Sequence, residues 1–231
     1  MKRHRGRPPG TTGRAAVLTT HQIRAVAAVA RARPRLPLRA LATFALSVGA
    51  GLRAKELSSL RWIDVFTPEG ELREVVHLKA AYTKGAKTRD IFLSSPKLRR
   101  TLEDYHSESR PWDFNEPLFK SQKGGHLTAT SMSRFLKQLY VETGIPRGSS
   151  HSGRRTMITQ LAEKGVDLKA ISVIAGHSNV RTTALYVEHN PARLARILQE
   201  VMVSRDRRHA FFNATVSMCC VGLIGHIMRR L

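Results

Sequence analysis

Amphipathic helical runs separated by prolines and glycines set the main limit on how this chain can fold. Apolar residues recur at helical spacing from Thr19, and Pro34 stops that first run. The period changes only between residues 62 and 93, where β-prone runs at Val75–Leu78 and Ile91–Leu93 lie between turn residues. Further helices are predicted over Pro37–Gly49, Ala54–Leu60, Leu98–Tyr105, Ala129–Glu142, Thr156–Lys164, Leu168–Ala175, Thr182–His189 and Pro191–Val203. The pattern predicts a mainly α fold that carries one small antiparallel β-sheet, an α+β domain.

The charge of the chain is strongly basic and unevenly distributed. It has 39 lysines and arginines against 17 acidic residues, a formal net charge of +22, and its first acidic residue is Glu56. So many positive charges repel one another and destabilise a compact fold unless a polyanion partner offsets them. Nucleic acid is the predicted partner; an anionic membrane surface and a merely soluble basic protein are the alternatives.

The chain is long enough for one well-buried domain, which we expect over residues 19–203. Residues 1–18 are basic and rich in glycine and proline, and they predict a flexible arm that lies along a DNA groove or stays solvated. Cys219 and Cys220 are adjacent and no secretory signal is visible, which favours a reducing cytoplasm.

The C-terminal segment, residues 204–231, has an unusual composition. Residues 210–228 carry no charged side chain, but Asn213, Ser217 and His226 dilute the run, whereas a membrane span needs about 20 strongly apolar residues. We therefore expect a helix that packs on this domain or on a neighbouring protomer. A membrane helix is the alternative.

Four short segments carry the residues with chemistry: GLRAKEL (51–57), TKGAKTRDIFL (83–93), HSGRRT (151–156) and AGHSNVRTTALYV (175–187). Each has an ordinary explanation when it is considered alone. Arg53 is then a solvated arginine, Lys84 an exposed turn residue, His151 a helix cap, and Tyr186 a half-buried core tyrosine. Only their combination calls for a common explanation.

Phosphodiester cleavage supplies that explanation. The transition state gains charge on its equatorial oxygens, and two arginines suit it because each guanidinium can bind two oxygens. A tyrosine hydroxyl can form a covalent phosphotyrosyl link. A lysine or histidine can protonate the leaving 5′-hydroxyl.

The order and spacing of these segments resemble the tyrosine recombinase (phage integrase) family, whose catalytic-domain fold the chain is then expected to share. GLRAKEL resembles the Gly-Leu-Arg-x-x-Glu-Leu box of that family, and HSGRRT resembles its His-x-x-Arg box. GHSNVRTTALY resembles the Gly-His box that is followed nine residues later by the nucleophile. The resemblance implies a catalytic set of Arg53, Lys84, His151, Arg154, His177 and Tyr186. In it Tyr186 attacks, the two arginines hold the scissile phosphate, Lys84 is the general acid, and His177 positions the phosphate.

The resemblance also implies partners and a location. The partner is double-stranded DNA with a specific recombination site, bound by a synaptic tetramer in the nucleoid of the cytoplasm, with accessory DNA-bending proteins as further candidates and no membrane. Neither metal nor other cofactor is implied. The predicted DNA-binding residues are Lys55, Lys87, Arg89 and Arg155. A type IB topoisomerase and a catalytically silent DNA-binding remnant of a mobile element are the alternative functions.

The sequence departs from the family in two respects. Relatives commonly carry a helical core-binding domain before the first arginine box, and we expect a short form that lacks it. At Arg155 relatives often have histidine, and we expect Arg155 to pair locally or to reach a phosphate.

Overall fold

The computed structural model describes residues 15–83, 87–177, 179–184 and 198–199. The chain divides into two units between residues 187 and 188, and the fold described here belongs to the first. Its helices are α1 (Thr20–Arg31), α2 (Pro37–Gly49), α3 (Ala54–Ser59), α4 (Trp62–Val65), α5 (Pro96–Ser109), α6 (Ala129–Glu142), α7 (Ser152–Glu163), α8 (Leu168–Ala175) and α9 (Val180–Ala184). Its strands are β1 (Val75–Leu78) and β2 (Arg89–Phe92), with a 3₁₀ turn at Ala80–Tyr82 between them.

The predicted fold class is confirmed. β1 and β2 pair antiparallel, with Val75 opposite Phe92 and Leu78 opposite Arg89. Buried and exposed residues alternate along both strands, so one face of this hairpin packs on the helical core. Within the described part of the chain, no helix is long and apolar enough to cross a membrane.

Side-chain caps fix where several helices begin. Thr19 accepts a hydrogen bond from the Gln22 amide while the Gln22 side chain accepts one from the Thr19 amide, which forms a capping box. Thr128 and Asp167 cap α6 and α8 through single side-chain oxygens. These local signals explain why the predicted starts of these helices agree with the structure.

Some element boundaries differ from the predictions. The short helix α4 was not predicted and lies at the start of the region, residues 62–93, where the helical period changes. Trp62 is buried among aromatic rings and Asp64 accepts a hydrogen bond from the Arg61 amide, a local arrangement too short to show a period. α7 begins at Ser152, four residues before the predicted start. Its first turn contains Gly153, a weak helix former that tertiary packing holds in place. The predicted helix Pro191–Val203 lies outside the described residues except for 198–199, which are helical.

The core is centred on α2, which packs against α1, α5 and α7. A Cβ on Gly153 would lie 2.4 Å from Ser47 Oγ and 2.9 Å from the Ser47 backbone, so only glycine permits this approach of α7 to α2. A second apolar cluster joins α7 to α8 through residues such as Ile158 and Ile171. The helix that carries His-x-x-Arg is thus held between the main core and α8.

Candidate active site

Three arginines from distant parts of the chain meet at the C-terminal end of α8. Each donates a hydrogen bond to a different carbonyl there: Arg89 to Ile174 (3.0 Å), Arg154 to Ala175, and Arg53 to Gly176 (3.4 Å). The C-terminal end of a helix carries unpaired carbonyls and partial negative charge, so it stabilises nearby cations. The end of α8 therefore gathers three positive charges around one short turn.

Arg53 is held on its other side by Glu56. The Arg53 backbone amide donates to Glu56 Oε2 at 2.8 Å, and Arg53 Nη1 donates to Oε1 at 2.7 Å. The Glu56 side chain is 0% exposed, whereas that of Arg53 is 24% exposed. Burial raises the pKa of Glu56, but the hydrogen bonds and charges of Arg89 and Arg53 outweigh it and lower that pKa overall. Glu56 is consequently ionised and fixes the Arg53 guanidinium at the edge of a cleft.

Arg154 lies deeper, with only 3% of the residue exposed. Its Nη1 donates to the Gly51 carbonyl at 2.8 Å, in the same segment as Arg53. Gly51 has a φ of +63°, a backbone conformation that other residues rarely adopt, and a Cβ there would lie 2.5 Å from Met157 Cε, so the end of that side chain would have to shift. Arg154 thus ties the first arginine segment to the turn that carries His177.

His177 follows Gly176 directly at this turn. Its Nδ1 lies 2.8 Å from Thr183 Oγ1, and its amide donates to the Ser172 carbonyl at 2.9 Å. Burial, and then the positive charges of Arg154, Arg53 and Arg89, lower the pKa of His177 to about 4. At neutral pH the ring is uncharged, with one nitrogen that can donate and one that can accept a hydrogen bond.

His151 occupies the N-cap position of α7, one helical turn before Arg154. It is exposed, and its amide donates to Ser149 Oγ at 3.3 Å. The structure thus places both members of the His-x-x-Arg pair on one helix start, with the arginine inside and the histidine at the surface.

The predicted lysine loop has a closed base. Thr83 Oγ1 donates to the Lys87 carbonyl at 2.6 Å and accepts from the Lys87 amide at 3.1 Å, so one hydroxyl joins both ends of the loop. Lys55 Nζ donates to the Thr83 carbonyl at 2.9 Å, which ties this base to α3. Lys84 lies between these ends and, like Tyr186, lies outside the described residues.

Two of the four predicted DNA-binding residues make protein contacts through their guanidinium groups. Arg89, whose side chain is 7% exposed, binds Glu56 and the Ile174 carbonyl. Arg155 Nη1 donates to the Ala15 carbonyl at 2.8 Å, a contact with the segment before α1. Lys55 and Lys87 are exposed.

A cleft of about 690 Å³ opens beside these groups. Arg53, Lys87, Arg89 and His177 are among its lining residues. Asp90 also lines it, and its carboxylate lies 2.6 Å from His77 Nδ1. Since Glu56 is buried behind the arginines, the cleft presents mainly positive charge and hydrogen-bond donors, the chemistry that suits a phosphate. Among the described residues no cluster of His, Cys, Asp or Glu could hold a metal ion.

Sequence reasoning missed two residues of this arrangement. For Glu56 the sequence did contain a signal, because an acidic residue at the third position of a helix, three residues after Arg53, is typical of a capping interaction. Thr83 gave no such signal, because its role depends on the return of the chain at Lys87.

Known proteins resemble this chain in sequence. The family model described as the phage integrase family matches residues 16–193. A tyrosine recombinase XerD of Oceanobacillus iheyensis is 31% identical over 171 residues, covering 71% of this chain and 55% of that protein. A tyrosine recombinase XerC of Methylobacterium nodulans is 32% identical over 158 residues, covering 68% of this chain and 47% of that protein. The chain therefore spans about half the length of the curated relatives it matches.

Solved structures share the fold. The crystal structure of XerA recombinase superposes with a TM-score of 0.65 at 21% identity, covering 84% of this chain and 65% of that one. The Tn1549 transposon integrase in complex with transposon right end DNA gives a TM-score of 0.64 at 21% identity, covering 85% and 69%. The fold is that of tyrosine recombinases, and the chain belongs to the phage integrase family.

Proposed function

We propose that residues 19–203 form the catalytic domain of a site-specific DNA recombinase that cleaves and rejoins strands through a 3′-phosphotyrosyl intermediate. The convergence of Arg53, Arg154 and His177 at the end of α8 carries this proposal. A preorganised set of cationic donors is what a phosphoryl transition state requires. Membership of the phage integrase family supports the same reaction.

In the proposed reaction, the Tyr186 oxygen bonds to the scissile phosphorus as its proton passes to His151. The bond from phosphorus to the 5′-oxygen breaks, and its electron pair stays on that oxygen, which takes a proton from Lys84. Arg53 and Arg154 stabilise the charge that develops on the equatorial oxygens. Attack by the 5′-hydroxyl of a partner strand reverses these steps and releases the tyrosine.

His177 has a separate part in this proposal. Because its pKa is held at about 4, the ring is neutral at physiological pH and can donate one hydrogen bond to a phosphate oxygen without adding charge. Its Nδ1 contact with Thr183 fixes the ring plane. We assign it to positioning the phosphate.

The DNA partner and assembly belong to the proposal as well. The net charge of +22 and the exposed Lys55 and Lys87 support phosphate contacts. The Leu18 amide donates a hydrogen bond to Thr156 Oγ1 in α7, and the Ala16 amide donates one to the Arg147 carbonyl just before that helix. Residues 16–18, at the end of the basic segment, therefore lie beside the helix that carries Arg154. Several relatives of this fold were solved on DNA, among them XerH bound to difH substrate. We propose a specific duplex site and a synaptic tetramer.

Covalent trapping tests the proposal. A pool of nicked duplexes with randomised cores is incubated with the protein, and DNA that stays attached in denaturing detergent is sequenced. We expect adducts enriched for one sequence. Tyr186→Phe should abolish them with DNA affinity nearly unchanged, whereas Tyr82→Phe, a tyrosine outside the box, should retain them.

Other outcomes decide against the proposal. An adduct that persists in Tyr186→Phe refutes the nucleophile. Supercoil relaxation without sequence preference identifies a type IB topoisomerase. DNA binding with no adduct from any member of the pool identifies a silent remnant.

A further inference from the structure

Arg89 links two elements of the site through one side chain. Its Nη2 and Nε donate to the Glu56 carboxylate at 2.7 and 3.3 Å, and its Nη1 donates to the Ile174 carbonyl at 3.0 Å. A planar guanidinium can make such divergent contacts at once, and lysine cannot. Arg89 therefore joins the start of α3 to the end of α8.

The Glu56 carboxylate links the orientation of Arg53 to that of Arg89. Each carboxylate oxygen accepts one bond from Arg53 and one from Arg89, so both oxygens are fully engaged. The paired contact from Arg89 fixes the plane of the Glu56 carboxylate. The position of the Arg53 guanidinium then follows from that plane.

The stem of Arg89 also packs on the turn before His177. A Cβ on Gly176 would lie 2.4 Å from Arg89 Cδ and 3.3 Å from Nε. Gly176 has a φ of +60°, so glycine suits this position both for its backbone and for the approach of Arg89. The turn that places His177 is thus held between α8 and the Arg89 side chain.

We propose that Arg89 is a positioning residue for strand cleavage and not a DNA contact. It sets Arg53 through Glu56, and it sets His177 through the Ile174 carbonyl and Gly176. The inference rests on the function proposed above. Two alternatives give different results in the test: a phosphate contact, and an ion pair that only stabilises the fold.

The main variant is Arg89→Lys, which keeps the charge and loses the divergent contacts. Arg99→Lys is the matched control, because Arg99 also donates to two backbone carbonyls, those of Leu72 and Arg73. Duplex affinity, its salt dependence and the single-turnover rate of adduct formation are measured on a trapped sequence, well below the melting temperature of each variant.

We expect Arg89→Lys to slow adduct formation by about tenfold to a hundredfold, since small misplacements of catalytic groups have effects of that size. Duplex affinity should change less than about twofold and the salt slope should stay constant, because no phosphate contact is lost. Arg99→Lys should leave both quantities near the values of the unmodified protein. A loss of affinity with a shallower salt slope would identify Arg89 as a DNA contact and overturn the proposal.

A double-mutant cycle tests whether Arg89 acts through Glu56. In a Glu56→Gln background, Arg89→Lys should slow the remaining cleavage by much less than it does alone. If the two effects multiply fully, Arg89 does not act through Glu56. If melting temperature falls and the cleavage rate does not, Arg89 is a structural ion pair.

Hydrogen exchange provides a readout that needs no activity. The Gly176 and His177 amides donate to carbonyls of α8 at 2.9 Å and should be protected. We expect Arg89→Lys to speed their exchange by about tenfold, as local opening becomes easier. Arg99→Lys should leave them unchanged. If the unmodified protein forms no adduct, the proposed function fails, and unchanged exchange at these two amides would overturn the inference separately.

Discussion

Replacing the buried carboxylate at Glu56 tests the electrostatic basis of the site. The carboxylate is 0% exposed and accepts four hydrogen bonds from Arg53 and Arg89, three of them at 2.7–2.8 Å. In Glu56→Gln the amide keeps one acceptor oxygen, while its NH₂ group faces cationic donors. Removing one partner of a buried ion pair costs about 3–5 kcal/mol, and we expect the free energy of unfolding at pH 7 to fall by that amount.

The pH dependence of this difference has a definite sign. The folded protein lowers the pKa of Glu56 below its ordinary value of 4.5, so the unfolded chain binds this proton more tightly. The stabilisation is therefore fully present above pH 4.5 and is lost as the pH falls through the lower pKa of the folded state. The gap between the unmodified protein and Glu56→Gln should narrow over that acidic range.

Urea unfolding at a series of pH values from 7 downward measures the difference in unfolding free energy between the unmodified protein and Glu56→Gln. The matched control is Glu142→Gln, which also removes a carboxylate paired with an arginine, Arg33, but one that is 32% exposed. A surface pair of this kind contributes about 0–1 kcal/mol, so the control should change little. A gap of less than about 1 kcal/mol at pH 7, or one that does not change with pH, would refute the electrostatic reasoning.

Two further predictions concern the packing of α7 and the charge state of the site. Gly153→Ala should lower the free energy of unfolding by about 1–3 kcal/mol, because the new Cβ overlaps Ser47. The control Gly125→Ala places its Cβ where nothing lies within 4 Å and should not lower it. Thermal unfolding of the two variants measures the difference. The His177 ring should titrate near pH 4 by NMR, and unfolding free energy should decrease as pH falls from 6.5 towards 4, because the unfolded chain takes up the proton first. A midpoint near 6.5 would contradict the burial of this ring among arginines.

The sequence predicted local structure well where the signal was local. Thr19, Thr128 and Asp167 are capping residues immediately before apolar periods, and the helices begin beside them. The hairpin was legible because β-branched and aromatic residues lie between turn residues. The first turn of α7 was not predicted, because it contains Gly153, a weak helix former whose place in the helix depends on its close packing against Ser47.

The roles of the arginines show the same division. Spacing and motif identified Arg53, Arg154 and His177, and the structure brings all three to one turn. For Arg89 the sequence predicted a DNA contact, and the structure shows its side chain 7% exposed and paired with Glu56. Its burial against Glu56 depends on the packing of β2 against α3 and α8.

The sequence by itself thus determined the four segments that indicated phosphodiester chemistry, because residue types, their order and their spacing can be read along the chain. Which polar groups meet was decided by the tertiary structure, since Arg53 contacts a carbonyl 123 residues away and Arg89 contacts one 85 residues away. Such pairs form only when helices and hairpin pack together, and burial together with the neighbouring arginines then sets the pKa of Glu56 and His177. No pattern along the chain encodes these distances, because they arise from the shape of the whole core.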